Sequence, residues 1–214
     1  MQLSLFEAQT FEGRTAPREG LFVLRGFALP RATALIAAIG DVTARAPLRH
    51  MTTPGGRVMS AAMSNCGRAG WVTDAKGYRY TAEDPQSGEP WPVMPEVIRD
   101  LAVEAAGAAG FVLAPDACLI NRYAPGARMG LHSDADEPDE DAPIVSVSLG
   151  LTATFLFGGP ARSDPTDKIP LEHGDVVVWG GPLRRAYHGI AQLKDGDHPV
   201  LGRQRLNLTL RKAL

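Results

Sequence analysis

From Ala117 onward the chain runs in short stretches of alternating apolar and polar residues, with glycine or proline at most of the junctions. Side chains two apart on an extended chain share a face, so such alternation reads as half-buried strand. Strands are predicted over about residues 117–123, 128–134, 143–150, 152–157, 168–171, 175–179, 185–190 and 203–211. Short strands at this spacing predict a sandwich or barrel, not a parallel sheet. The last is the most regular: Arg203, Arg205, Asn207, Thr209 and Arg211 share one face, and Leu206, Leu208 and Leu210 the other. Period alone leaves two readings open. The polar face lies outward at a sheet edge, or it points into a barrel where two arginine forks hold the ends of a dicarboxylate.

The first half has a different texture. Residues 1–20 hold Gly13, Pro17 and Gly20, show no period, and read as an arm or loop. Leu21–Leu24 is a short strand. From Pro30 to about Arg45, Leu35, Ile36 and Ile39 form a helical stripe that Pro47 closes. Residues 52–56 are a turn-rich connector, and 57–80 reads as strands joined by exposed hairpins or loops, with Gly67, Gly70 and Gly77 among aromatics. After a loop over 85–92, Pro95 and Glu96 open a second helix that runs to about Ala108. The expectation is one domain over residues 1–214, mainly β with flanking helices. Its β core starts at about residue 111, and a basic aromatic segment over about 43–92 packs on it as a lid.

Composition narrows the class. A hydrophobic content of 44% in 214 residues is ample for one core. No apolar run approaches the roughly 18–20 residues of a membrane helix. The N-terminus lacks the basic and apolar regions of a secretory leader. Cys66 and Cys118 are the only cysteines, too few for a disulfide scaffold. A reduced, cytoplasmic monomer with no membrane partner is expected. Net charge is −2, but it is unevenly spread. Between Thr43 and Tyr80, six bases (Arg45, Arg49, Arg57, Arg68, Lys76, Arg79) face one acid, Asp74, whereas Asp134 to Asp141 holds six acids and no base. A polyanionic partner on one face fits this map, and so does a solvated surface.

Chemistry concentrates between Asn121 and Asp136. A strand ends at Pro125-Gly126, and the next delivers His132 and Asp134, two apart on one face. Alone, that pair also reads as a surface histidine and a turn-capping acid. Of the other histidines, His173 sits in a turn, His198 in a polar loop and His50 in the basic segment. His188 follows the apolar run Val176–Trp179 in the same β core. Two histidines and one carboxylate with open positions suit non-haem Fe(II), with zinc as the main alternative.

These residues carry a resemblance. Asn121-Arg122-Tyr123-Ala124-Pro125-Gly126-Ala127, His132-x-Asp134, the stretches Pro143–Gly150 and Glu172–Gly181, the distal His188, and Arg205-x-Asn207-x-Thr209-x-Arg211 resemble the AlkB family of Fe(II)- and 2-oxoglutarate-dependent nucleic-acid dealkylases. The bacterial members are the nearest in pattern. The likeness covers about residues 60–211 and is weak before about residue 50. It implies a double-stranded β-helix (jelly-roll) core with an N-terminal nucleotide-recognition lid. His132, Asp134 and His188 would hold Fe(II). Asn121, Tyr123, Arg205, Asn207, Thr209 and Arg211 would hold 2-oxoglutarate, with Arg205 expected at the distal carboxylate. Trp71, Tyr78, Arg79, Tyr80, Asp136 and Arg162 would meet the substrate, Trp71 stacking on an extruded base with His132 on its other side.

The implied activity is oxidative demethylation of bases such as 1-methyladenine and 3-methylcytosine in single-stranded DNA, with RNA as a further substrate class. O2 and 2-oxoglutarate are consumed and formaldehyde is released. Lid cations for phosphate and rings for stacking are what a single-strand binder needs, and Asp136 would favour cationic lesions by charge. Two rivals remain: an oxygenase of the same chemistry acting on RNA, protein or a small molecule, and a metal- or nucleic-acid-binding module without turnover. The aromatic lid argues against a small-molecule substrate, and the full set of ligands and arginines against a silent module.

Overall fold

The computed structural model describes residues 11–214. In chain order the elements are β1 (Arg14–Arg18), β2 (Leu21–Leu24), α1 (Ala32–Arg45), β3 (Ala62–Gly67), β4 (Gly70–Asp74), β5 (Gly77–Thr81), α2 (Glu96–Ala108) and β6 (Ala117–Tyr123). They continue with β7 (Met129–His132), β8 (Ile144–Gly150), β9 (Ala153–Phe157), β10 (Asp167–Leu171), β11 (Val176–Trp179), β12 (His188–Ile190) and β13 (Arg205–Arg211). Every strand predicted beyond Ala117 is present. So are both helices, α1 preceded by a 3-10 turn at Leu29–Arg31 that takes in the expected Pro30.

Seven strands form one sheet in the order β1-β2-β11-β8-β13-β6-β3, and four form a second, β10-β9-β12-β7. Pairing is antiparallel throughout. This is the two-sheet jelly roll expected from the motifs. The hairpin β4–β5 stands as a separate two-stranded sheet.

The position of β13 settles the open reading of its polar face. It lies between β8 and β6, and all its residues are buried. Leu206, Leu208 and Leu210 pack with Val145, Val147 and Leu149 of β8 against Leu35, Ile39, Ile98 and Leu101 of the helices. The helices therefore cover one face of the larger sheet, burying apolar side chains at about 25 cal/mol per Å² of apolar surface. The other face looks toward the second sheet, where Phe155, Phe157 and Trp179 form a separate cluster. Arg205, Asn207, Thr209 and Arg211 are buried on that inner side. The alternation marks a strand covered on both faces, not an edge.

Two expectations about the first half need correction. The expected arm over 1–20 lies in part outside the described residues, and its remainder contains β1, which pairs with β2. Nor does the larger sheet begin at residue 111, since β1, β2 and β3 all belong to it. β3 comes from inside the basic aromatic segment and pairs with β6. Its Ser64 and Asn65 are buried but satisfied: Ser64 Oγ donates to Ala46 O at 2.5 Å, and the Asn65 amide exchanges two bonds with the backbone of Trp71, each 3.0 Å. Buried polar groups paired in this way cost little, and here they fix the hairpin to the core.

Candidate active site

Strand pairing assembles the metal-ligand cluster. β12 runs antiparallel to β7 with His188 directly opposite His132, and their ring centroids lie 4.4 Å apart. The approach is close because Gly189 has no side chain: a Cβ there would sit 2.7 Å from Met129 O. Gly126, with φ 87°, makes the turn that leads from β6 into β7. Asp134 lies two residues beyond His132. Ligand atoms of His132, Asp134 and His188 all fall within 4.8 Å of one another.

Each histidine is oriented through its Nδ1. His132 Nδ1 donates to Gly130 O at 2.9 Å, and His188 Nδ1 donates to Ala186 O at 3.0 Å. A proton on Nδ1 leaves the Nε2 lone pair free, and both Nε2 atoms lie 3.8 Å from the Asp134 carboxylate. Burial pushes His188 down to about 4, so its imidazole is neutral near pH 7, as a ligand must be. Burial works against the charged form of Asp134. Arg211, bonded to its Oδ2, outweighs it and holds the carboxyl well below the usual range. A neutral imidazole, a half-exposed imidazole and a firmly ionised carboxylate fit a divalent metal bound on one side.

The polar row of β13 forms the adjoining wall. A small cavity of about 50 Å³ is lined by residues that include Asn121, Tyr123, His132, Ser146, His188, Asn207, Thr209 and Arg211. Its amides and hydroxyls are wired together. Asn121 Nδ2 donates to Asn207 Oδ1 (3.2 Å), Thr209 Oγ1 donates to the same oxygen (3.1 Å), and Asn207 Nδ2 donates to Ser146 Oγ (2.8 Å). Arg205 is different. It is fully buried, donates once to Ser148 Oγ at 2.9 Å, and lies over the Tyr123 ring. Among the described residues, its Nε and Nη1 have no hydrogen-bond partner, and neither does Asn121 Oδ1. Burial pulls the Arg205 guanidinium below its ordinary pKa. A buried cation with unpaired donors is several kcal/mol out of balance until an anion reaches it. A carboxylate at Arg205 restores that balance.

Sequence comparison decides the family. The model of the 2OG-Fe(II) oxygenase superfamily matches residues 20–211. The chain belongs to that superfamily. It is 56% identical over 195 residues to the alpha-ketoglutarate-dependent dioxygenase AlkB of Escherichia coli strain K12, covering 91% of this chain and 90% of that one. An AlkB homolog of Caulobacter vibrioides is 44% identical over 181 residues, covering 84% and 81%. The solved structure of OsALKBH1 superposes with a TM-score of 0.77 at 29% identity, covering 92% of this chain and all of that one. The protein is an Fe(II)- and 2-oxoglutarate-dependent dioxygenase of the AlkB family. The family match starts at residue 20, well before the stretch where the motifs alone carried it.

In this AlkB-family chain the lid residues come together on the hairpin, but not all in the expected way. Trp71 on β4 pairs with Tyr80 on β5, and Thr73 with Tyr78, so these four share a face. Tyr78 stacks on Trp71 with centroids 5.7 Å apart, and Trp71 Nε1 donates to Asp136 Oδ2 at 2.9 Å. Arg79 is on the opposite face and is occupied: its fork binds Asp74 at 2.8 and 2.9 Å. Arg162 is exposed in the turn between β9 and β10 and, among the described residues, bonds to none of the other candidates. Several residues at the site were not expected. Ser146 and Ser148 lie opposite Thr209 and Asn207, and their period-two spacing inside an apolar run was the available signal. Glu137 and Arg184 are buried beside Asp134. Nothing in the sequence separates Glu137 from the exposed acids around it.

Proposed function

We propose that this dioxygenase removes N-methyl groups from nucleobases such as 1-methyladenine and 3-methylcytosine, preferentially in single-stranded DNA and also in RNA. One observation carries the reading. The space between the two sheets has the His132, Asp134, His188 cluster on the smaller sheet's side and buried Arg205 on the larger sheet's side, and a hairpin aromatic, Trp71, is bonded to Asp136 two residues from Asp134.

On this reading His132, Asp134 and His188 hold Fe(II). Arg205 holds the distal carboxylate of 2-oxoglutarate, and Asn121, Tyr123, Asn207, Thr209 and Arg211 complete its pocket. The iron supplies oxidising power from O2 and 2-oxoglutarate, delivered to the N-methyl carbon. In sum, methylated base, 2-oxoglutarate and O2 give free base, formaldehyde, succinate and CO2. The chain's own residues bind, orient and select. The buried walls around His188 keep water from the reacting carbon. Trp71 offers a ring for an extruded base, and the Asp136 carboxylate favours a cationic one. Extrusion costs a few kcal/mol, least for a lesion that already weakens pairing or for a base in single strand. Lys76, exposed in the β4–β5 turn, suits a phosphate.

The test is turnover of a single-stranded oligonucleotide carrying 3-methylcytosine with Fe(II) and 2-oxoglutarate. Formaldehyde and restored cytosine are expected in equal amounts, and Asp134→Ala abolishes both. Succinate formed on some other substrate, with no activity on any N-methylated base, sinks the reading.

A further inference from the structure

We infer that Glu137 is a positioning residue: it shares Arg211 with Asp134 and ties the aromatic hairpin to that metal-binding carboxylate. The inference rests on the metal site proposed above but concerns residues that site does not use.

The Glu137 side chain is 2% exposed, in a stretch whose other acids mostly face solvent. An ionised carboxylate is buried at a cost of several kcal/mol unless well partnered, so its partners matter. They come from three separate elements. Tyr80 of β5 donates its hydroxyl to Glu137 Oε1 at 2.5 Å. Arg184, just beyond the 3-10 turn at Gly181–Leu183, donates Nη2 to Oε2 at 3.1 Å. Arg211, at the end of β13, brings Nε to 3.3 Å from Oε1. The same two arginines also hold Asp134. Arg211 donates Nε and Nη2 to Asp134 Oδ2 at 2.9 and 2.6 Å, and Arg184 donates Nη1 to its backbone carbonyl at 3.0 Å.

The cluster is thus two buried guanidiniums against two buried carboxylates. Without the Glu137 charge, Asp134 is the carboxylate left in contact with Arg211. Arg211 then closes on Asp134 and competes with a metal ion for it. With Glu137 present, Arg211 is divided between two acceptors, and its contacts with Asp134 fall on Oδ2 alone. Because Tyr80 bonds to the same Glu137 oxygen that faces Arg211, hairpin and metal ligand are joined through a single side chain.

The experiment uses the purified full chain and Mn(II), a redox-inert probe, and reads affinity by titration with no turnover required. Glu137→Gln keeps shape and hydrogen-bonding capacity but removes charge. It is expected to weaken Mn(II) binding by roughly tenfold, the scale seen when partners of metal ligands are changed. Tyr80→Phe deletes one hydroxyl that bonds Glu137 and none of the three metal-binding residues, and is expected to weaken binding by a smaller factor. Added to Glu137→Gln it should change nothing further, because both act through one path. Wild-type Mn(II) affinity in Glu137→Gln or in Tyr80→Phe overturns the inference, and so do independent, multiplying losses in the double variant. A lower melting temperature alone does not support it. If Glu137→Gln does not fold, Tyr80→Phe decides by itself. Asp134→Ala serves as the control: full Mn(II) affinity there would remove the metal site itself, a failure distinct from that of Glu137.

Discussion

The inner face of β13 and the hairpin β4–β5 both carry polar and aromatic groups toward the same centre, yet they are finished differently. On β13 the backbone is locked between two strands and the side chains are buried, and Arg205 is left with donors that none of the described residues satisfies. On the hairpin the groups satisfy one another: Tyr78 stacks on Trp71, Trp71 bonds Asp136, and Arg79 binds Asp74. The first is a fixed mould with an anion-shaped deficit. The second is a self-satisfied surface whose contacts must be exchanged when a base arrives. A small, invariant co-substrate suits a rigid site, because preorganisation lowers the cost of binding. A base drawn from a polymer suits a surface that can rearrange.

The largest effect that could break this contrast lies at Arg205. Arg205→Met removes the guanidinium and keeps much of the volume. Losing one partner of a buried ion pair costs about 3–5 kcal/mol, so 2-oxoglutarate affinity should fall by roughly a hundredfold or more. Melting without 2-oxoglutarate should move little, since an imperfectly paired buried cation is replaced by an apolar chain. The stabilisation that excess 2-oxoglutarate gives the wild type should be lost. If the variant instead melts far lower with its 2-oxoglutarate affinity intact, Arg205 is a structural residue and the mould reading fails.

Next in size is Trp71→Ala. Base–aromatic stacking is worth about 1–3 kcal/mol per base, so affinity for a methylated single strand should drop by roughly five- to a hundredfold. Affinity for 2-oxoglutarate should not move. A Trp71→Ala chain that binds the oligonucleotide normally but unfolds readily would mean that the indole is a core side chain. Cross-effects, with Arg205→Met lowering oligonucleotide affinity or Trp71→Ala lowering 2-oxoglutarate affinity, would show that the two regions are one site energetically.

The same contrast explains what could be read from the chain. The β core was legible because its inner strands alternate with period two, and because both faces of β13 are covered by elements the pattern also marked. The ligand set was legible only when His132-x-Asp134, His188 and the two arginines were taken together, since none of them is specific alone. A strand within 57–80 was legible, but not that β3 joins the larger sheet: its buried Ser64-Asn65 pair carries no apolar signal, and its burial is tolerated only through partners on other elements, Ala46 and Trp71. Glu137 was missed for a related reason. It follows the exposed Asp136, and it is buried by Tyr80, Arg184 and Arg211, each from a different part of the chain. Arg79 was given to the substrate by the resemblance alone; in the structure its fork is closed on Asp74 five residues back, a pairing that the two-strand register creates and that the sequence did not show.

That last pair yields the smallest prediction and a direct probe of the hairpin. The Arg79 bond holds the Asp74 carboxyl down to about 2, from an ordinary 3.8, with the backbone N–H of Lys76 adding to it. A depressed folded-state pKa contributes stability that is fully present above the unfolded value and disappears as pH falls through the folded one. The pair therefore supports the folded hairpin above 3.8, and the support should fade between 3.8 and about 2. Both side chains reach solvent, so the contribution is small and salt-sensitive. Hydrogen exchange of the β4–β5 amides should be slightly faster in Arg79→Met than in the wild type near neutral pH, and the gap should narrow on acidification and in high salt. If the Arg79→Met hairpin exchanges like the wild type while oligonucleotide affinity falls, Arg79 leaves Asp74 for the substrate's phosphate, and the hairpin is less self-satisfied than its contacts imply.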